Sequence, residues 1–315
     1  MLDALLNSVL PVFAVLGVGM LFAQLRLFDI SQAQAINRYV FYVGLPALAF
    51  RLLARSHPDQ FDWPLLGAYA VSELVIYVAG MLLFRVVMKK SMAESFLLGL
   101  ALILCNHVFY VLPIGIAAFG DVVAPQIIGM IFIDVLVFFN GTVVAMEILQ
   151  ALDSGHQDRH LAGHIAIKLI SNPQVLAALS GVAAMLIAIP LDNGLGTFLD
   201  FVGDSAAPAS LFALGVILML HPAKSGWGLV TLITLVNLVL MPLVMFAVLF
   251  GLGNFDVLRA TPALLVAAGP VGAMPFVLSV QYGHDSGIYA RAVLITTLLS
   301  VISLSAIIGW VGTQI

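Results

Sequence analysis

Cys105-Asn106-His107-Val108-Phe109-Tyr110-Val111-Leu112-Pro113-Ile114-Gly115 sets an amide, an imidazole and then a proline in the middle of an otherwise apolar run. Proline has no N–H and its ring clashes with the preceding turn, so this stretch predicts a helix whose hydrogen-bond ladder opens before Pro113. Farther along, Gly269-Pro270-Val271-Gly272-Ala273-Met274-Pro275 interrupts a second apolar run in the same way. The composition around these breaks is extreme: of 315 residues, 62% are hydrophobic and 9% charged, with a mean hydropathy of +1.14. A soluble domain carries about 45–50% apolar and about 25% charged residues. A water-soluble globule is excluded, and irregular backbone inside a bilayer is tolerated only where it is buried in protein or lines a wet cavity.

The chain therefore reads as an all-α polytopic membrane protein. A helix needs about 20 apolar residues to span the hydrocarbon core, and the apolar runs place ten spans near 5–24, 34–54, 64–88, 95–119, 123–149, 164–189, 199–220, 227–251, 258–281 and 288–311. Span 1 is not read as a signal peptide, because no Lys or Arg precedes its apolar core and no A-x-A-like site follows it. The polar stretch Asp153–His160 falls at the centre, which divides the chain into a first unit over 1–150, a loop over 151–163 and a second unit over 164–315. Cytoplasmic loops collect Lys and Arg. Arg26, Arg38, Arg85, Lys89, Lys90, Arg159, Lys168, Lys224 and Arg291 fall on the side of the central loop, whereas Arg51, Arg55 and Arg259 fall on the other. This bias predicts a cytoplasmic central loop and extracytoplasmic termini. The net charge of −4 with no basic patch leaves no footprint for nucleic acid, and the single cysteine excludes an intrachain disulfide and a cysteine metal cluster.

Five spans per unit predict two repeats, the second inverted in the membrane. Pro11 and Pro173, Pro46 and Pro208, and Pro113 and Pro275 share one offset of 162 residues, which also superposes Pro46-Ala47-x-x-Phe50 on Pro208-Ala209-x-x-Phe212. Interrupted spans at corresponding places in two such halves are the best sequence pointer to a transporter's binding site. Each second half-helix, read as starting at Pro113 and Pro275, offers unpaired N–H groups and the positive end of its dipole. Two such ends converging on a volume without an obvious carboxylate favour an anionic ligand. The alternative is that both prolines kink ordinary helices.

The intramembrane polar residues are few. Asn106 can bind a carboxylate or support the break. His107 is turned about 100° from it around a helix, which favours a structural hydrogen bond over a transported proton. Glu73 and Asp134 are the carboxylates well inside the spans, and each is either a proton carrier or the partner of a nearby cation or polar face; Arg26 is a candidate partner for Glu73. Asn140 and Asn237 read as interhelical hydrogen-bonders, and Gly17-Val18-Gly19 as a close-packing surface. No H-E-x-x-H, G-x-S-x-G or P-loop occurs, so neither an enzyme nor a cofactor or metal site is expected.

At span 2, Ile36-Asn37-Arg38-Tyr39-Val40 followed by Leu45-Pro46-Ala47-Leu48-Ala49-Phe50 resembles the second-helix signature of the auxin efflux carrier family of membrane transporters. Asn106, Pro113 and Phe119-Gly120 resemble that family's first crossover element, and Gly269-Pro270 with Tyr282-Gly283 the second. The similarity runs nearly end to end. It implies a fold similar to that of the bile-acid sodium symporters: a scaffold of spans 1, 2, 6 and 7 against a transport domain of spans 3–5 and 8–10 that moves by an elevator or rocking motion. Asn106, Pro113, Gly269, Pro270 and Pro275 would then contact the substrate, Glu73 would occupy an acidic support position, and a homodimer would form through spans 2 and 7. The short central loop resembles bacterial members associated with small organic acids such as malonate, malate or lactate, in the inner membrane. Ala49 stands where plant relatives carry a hydroxyl, which argues against an aromatic auxin. A sodium-coupled symporter and a non-transporting membrane sensor are the alternatives.

Overall fold

The computed structural model describes residues 2–153, 167, 171–220 and 226–314. The expected central loop lies almost wholly outside the described residues, together with the start of span 6 and the cations Arg159, Lys168 and Lys224. The described chain is helical. Its segments are α1 (Leu2–Gln24), α2 (30–54), α3 (Trp63–Val87), α4 (Met92–Ile103), α5 (His107–Phe119), α6 (Asp121–Leu152), α7 (Pro173–Leu186), α8 (Gly194–Leu220), α9 (Trp227–Leu252), α10 (Val257–Ala267), α11 (Met274–Gln281) and α12 (Ser286–Gly312). Among the described residues α3, α6, α8, α9 and α12 are long and apolar enough to cross a membrane.

Short polar links start these helices. Asp29, Asp62, Asn172, Asn193, Asp256 and Asp285 each accept a backbone N–H of the following turn, and Ser91 with Glu94 closes a reciprocal capping box before α4. Each such cap satisfies a donor that the helix start would otherwise leave unpaired. The faces of α3 are arranged for lipid rather than water. Val71, Leu74, Val75, Val78 and Leu82 are exposed, while Tyr69, Ser72 and Glu73 are buried. The apolar face turned outward and the polar face turned inward fit a hydrocarbon surround.

Two sets of helices pack among themselves. In one, α1 lies along α8, and both α7 and α8 pack on the second half of α2. A Cβ on Gly19 would run into the Phe212 carbonyl and one on Gly215 into that of Leu16, so α1 and α8 approach backbone to backbone, as small residues permit between membrane helices. The close-packing reading therefore applies to Gly19, whereas nothing crowds Gly17. The second set joins α3 with α4 and α6, and α12 with α9, α10 and α11. The sets touch through α8 and α12, α1 and α5, and α7 and α6, and the points where α4 gives way to α5 and α10 to α11 lie between them.

Candidate functional site

The two interruptions meet each other. Cys105 and Val271 form an isolated antiparallel bridge, in which the Asn106 N–H donates to the Pro270 carbonyl at 2.9 Å and the Gly272 N–H to the Leu104 carbonyl at 2.8 Å. These bonds satisfy backbone groups that the broken helices expose, as burial requires. A Cβ on Gly269 would strike Cys105 Sγ and Val111 Cγ2, so a residue without a side chain is needed where the strands cross.

The first break lies ahead of the proline expected to cause it. The ladder of α4 ends at Leu104, and α5 begins at His107 with a π-helical turn through Val111. Pro113 follows as the second residue of the α-helical part, Leu112–Phe119. The wider turn carries the chain past the proline, whose missing N–H costs little there. On the other side Pro275 is the second residue of α11, close to its expected place.

Between the two helix sets lies a cavity of ≈ 70 Å³. From the breaks it is lined by Leu104, Cys105, Asn106, His107, Val108, Phe109, Gly272, Ala273 and Met274, and from the other set by residues such as Leu45, Leu48, Ala207 and Ser210. The N-terminal turns of α5 and α11 therefore border one volume. Asn106 stands at the N-cap position of α5 with its side chain making no capping bond. Pro113, Gly269, Pro270 and Pro275 are not among the lining residues. Pro113 is exposed and the other three are buried behind the breaks, so these four shape the backbone while Asn106 reaches the cavity.

Asp134 and His107 also line the cavity, which corrects the expectation of a volume without a carboxylate, and behind them lies a cluster that sequence reading resolved only in part. His107 Nδ1 faces the Cys105 carbonyl at 2.9 Å, and its Nε2 lies 3.3 Å from Asp134 Oδ2. Tyr69 Oη lies 2.6 Å from Glu73 Oε1, 2.9 Å from Asp134 Oδ1 and 3.2 Å from His107 Nε2. Glu73 is thus tied to Tyr69 rather than to Arg26, which is exposed in the link after α1. Tyr69 was not singled out from the sequence, although its i,i+4 spacing to Glu73 on one helix face was a readable signal. Asn237 does donate between helices, to the Leu102 carbonyl at 3.4 Å. Asn140 instead donates to Val135 of its own helix at 2.6 Å, which corrects its interhelical reading; the π-helical turn over Asp134–Phe139 leaves that carbonyl in reach.

A wider depression of ≈ 720 Å³ lies between Asp62, Phe119, Gln126 and Arg259. The cation lining it is already paired: Arg259 Nη2 donates to Asp62 Oδ1 at 2.8 Å, and a second carboxylate, Asp256, stands beside them. The hydrogen bond from Arg259 holds the Asp62 carboxyl below its ordinary range, against a smaller opposing effect of burial. With its cation already paired, this depression is a weaker ligand site than the cavity at the breaks.

A family described as membrane transport protein matches residues 4–308. The chain is 28% identical over 305 residues to a Rhizobium meliloti protein named "Putative malonate transporter", an alignment covering 95% of this chain and 93% of that protein. It is 21% identical over 344 residues to Auxin efflux carrier component 8 of Arabidopsis thaliana, covering 93% and 94%, and 21% identical over 310 residues to component 5 of the same plant, covering 87% of each.

Proposed function

The chain belongs to the membrane transport protein family, the family of the auxin efflux carriers, and we propose that it moves a small carboxylate across the cytoplasmic membrane by alternating access. Membership makes it a multi-pass membrane transporter and not an enzyme. The observation that carries the anion is the convergence of two helix N-termini, at His107 and Met274, on the cavity that also receives Asn106. Unpaired N–H groups and the dipole ends there favour negative charge. Asn106 supplies amide donors to the carboxylate, and the backbone held by Gly269, Pro270, Pro275 and Pro113 presents the N–H groups. A cavity of ≈ 70 Å³ has room for roughly five water-sized bodies at about 10–15 Å³ each, which suits malonate, malate or lactate better than an indole acid.

In this reading ten spans form two inverted five-helix repeats, with α4–α5 and α10–α11 as the crossed fourth and ninth spans. Support comes from Pro113 and Pro275, each the second residue of an eight-residue α-helical stretch beyond its break. The set of α1, α2, α7 and α8 acts as scaffold and the set of α3–α6 and α9–α12 as the moving domain, in an elevator or rocking motion. The termini lie outside the cytoplasm. A homodimer forms through α2 and α8, where exposed apolar side chains such as Phe198 and Phe201 face outward. Uptake of radiolabelled malonate, malate and lactate into proteoliposomes tests the proposal. Transport by the wild type and its loss in a folded Asn106→Ala variant are expected; wild-type rates in Asn106→Ala would sink the site assignment.

A further inference from the structure

The cluster behind the cavity has more acceptors in contact than it has hydrogens to place between them. His107 Nδ1 faces a carbonyl, which only accepts, so that nitrogen carries the imidazole hydrogen. Tyr69 has one hydroxyl hydrogen but meets two carboxylate oxygens, at 2.6 and 2.9 Å. With both carboxylates ionised, one of these contacts sets lone pair against lone pair. Glu73 and Asp134 are 0% and 2% exposed, and Glu73 Oε2 and Asp134 Oδ2 make no hydrogen bond in the structure. Buried carboxylate charge without a donated hydrogen is costly, and the His107 Nε2 that lies 3.3 Å from Asp134 Oδ2 offsets it only by taking up a proton of its own. One added proton relieves it: Asp134 as the acid donates to Tyr69 Oη, which donates to Glu73. The mirror arrangement has Glu73 donating to Tyr69 and Tyr69 to Asp134. In passing from one to the other, Tyr69 gives its own hydrogen to Glu73 Oε1 and takes that of Asp134, so no atom or charge is left over.

We propose that Glu73, Tyr69 and Asp134 hold one shared proton that is carried together with the anion, making the protein a proton-coupled carboxylate symporter; this rests on the transport reading above. Asp134 belongs to both places, since it lines the cavity and touches Tyr69. An anion seated beside it repels an ionised Asp134 and not a protonated one, so anion and proton favour each other's binding. The groups facing the pair are His107 from the crossing and Tyr69 from α3, with Cys105 beside them; the next tyrosine along α3, Tyr77, is engaged by Thr142 at 2.8 Å.

The test uses the full-length protein in proteoliposomes, with the membrane potential clamped by valinomycin and equal potassium on both sides, and labelled malonate as probe. An interior one pH unit more alkaline is expected to drive wild-type accumulation about tenfold above equilibrium per coupled proton, since one unit is a factor of ten. Glu73→Gln and Tyr69→Phe, which stand behind the cavity, are expected to exchange labelled for unlabelled malonate yet to lose gradient-driven accumulation, and Asp134→Asn is expected to lose that accumulation as well. Malonate transport by the wild type that ignores the gradient overturns the proton site and leaves the transport reading intact, and so does accumulation undiminished in all three variants. If malonate, malate and lactate all fail to move, the transport reading falls. The shared proton is then judged by infrared spectroscopy of the purified protein at neutral pH. A protonated-carboxyl band that disappears in Glu73→Gln or Asp134→Asn supports it; a spectrum of ionised carboxylates alone refutes it.

Discussion

At one end of the cavity side-chain bonds join the two helix sets, and the single cysteine is placed to report their release. Buried Asn37 on α2 donates to the Val277 carbonyl on α11 at 3.0 Å, Gln281 donates to Tyr42 Oη at 2.8 Å, and Asn172 donates to Glu147 on α6 at 3.1 Å. The bonds of the opposite end stay within one set: Arg51 and Arg55 pair with Asp200, and Asp62 binds Gln126 and Arg259. If the sets move apart during transport, the first group breaks and the second does not. Asn37→Ala combined with Tyr42→Phe removes one buried and one exposed interset bond, together about 2 kcal/mol at about 0.5–1.5 kcal/mol per bond. That shifts the balance toward the form open at this end by about 30-fold, at a tenfold change per 1.4 kcal/mol. Cys105, which lines the cavity, is the only cysteine in the sequence. An impermeant maleimide applied to vesicles from the face carrying residues 281–286 should label Cys105 about 30-fold faster in the double variant than in the wild type. Equal labelling rates in two folded proteins would refute the assignment of these bonds as the closure.

Gly269→Ala should lower the melting temperature in detergent and slow uptake, because its Cβ collides with Cys105 and Val111 and overpacking of this kind costs about 1–3 kcal/mol; unchanged melting would refute the close crossing. Gly215→Val should destabilise comparably through the Leu16 carbonyl, read by the same melt. The Asp62 carboxyl is held low chiefly by its hydrogen bond with Arg259, so its contribution is complete above the unfolded carboxyl's pKa of about 3.9 and is lost as pH falls through the lower folded value. Melting followed across acid pH should therefore show a stability loss in the wild type that Arg259→Gln has already suffered at neutral pH. An identical acid limb in the two proteins would refute the pairing.

What could be read in the sequence, and what could not, divides along the range of the forces involved. Hydropathy is additive over neighbouring residues, so the all-helical, membrane-type character of the chain was legible, as were the two breaks, because proline and glycine act on their own turn. The place of the first break was not. It lies at Leu104–Asn106, with the second half-helix starting at His107 rather than at Pro113, because the bonds that stabilise the open backbone come from Pro270 and Gly272, more than 160 residues away. Glu73 and Asp134 could be recognised as misfits in an apolar setting, but their pairing through Tyr69 depends on where α3 and α6 lie against each other. Asn37 shows the same limit from the other direction. It was quoted as part of a recognisable motif, yet its work, a buried bond to the Val277 carbonyl, joins residues 240 positions apart. The polar atoms that matter most in this molecule are therefore those whose partners come from distant helices. A substitution that keeps local hydropathy and helix propensity, such as Asn37→Ala or Tyr69→Phe, should leave insertion into the membrane nearly unchanged while altering transport.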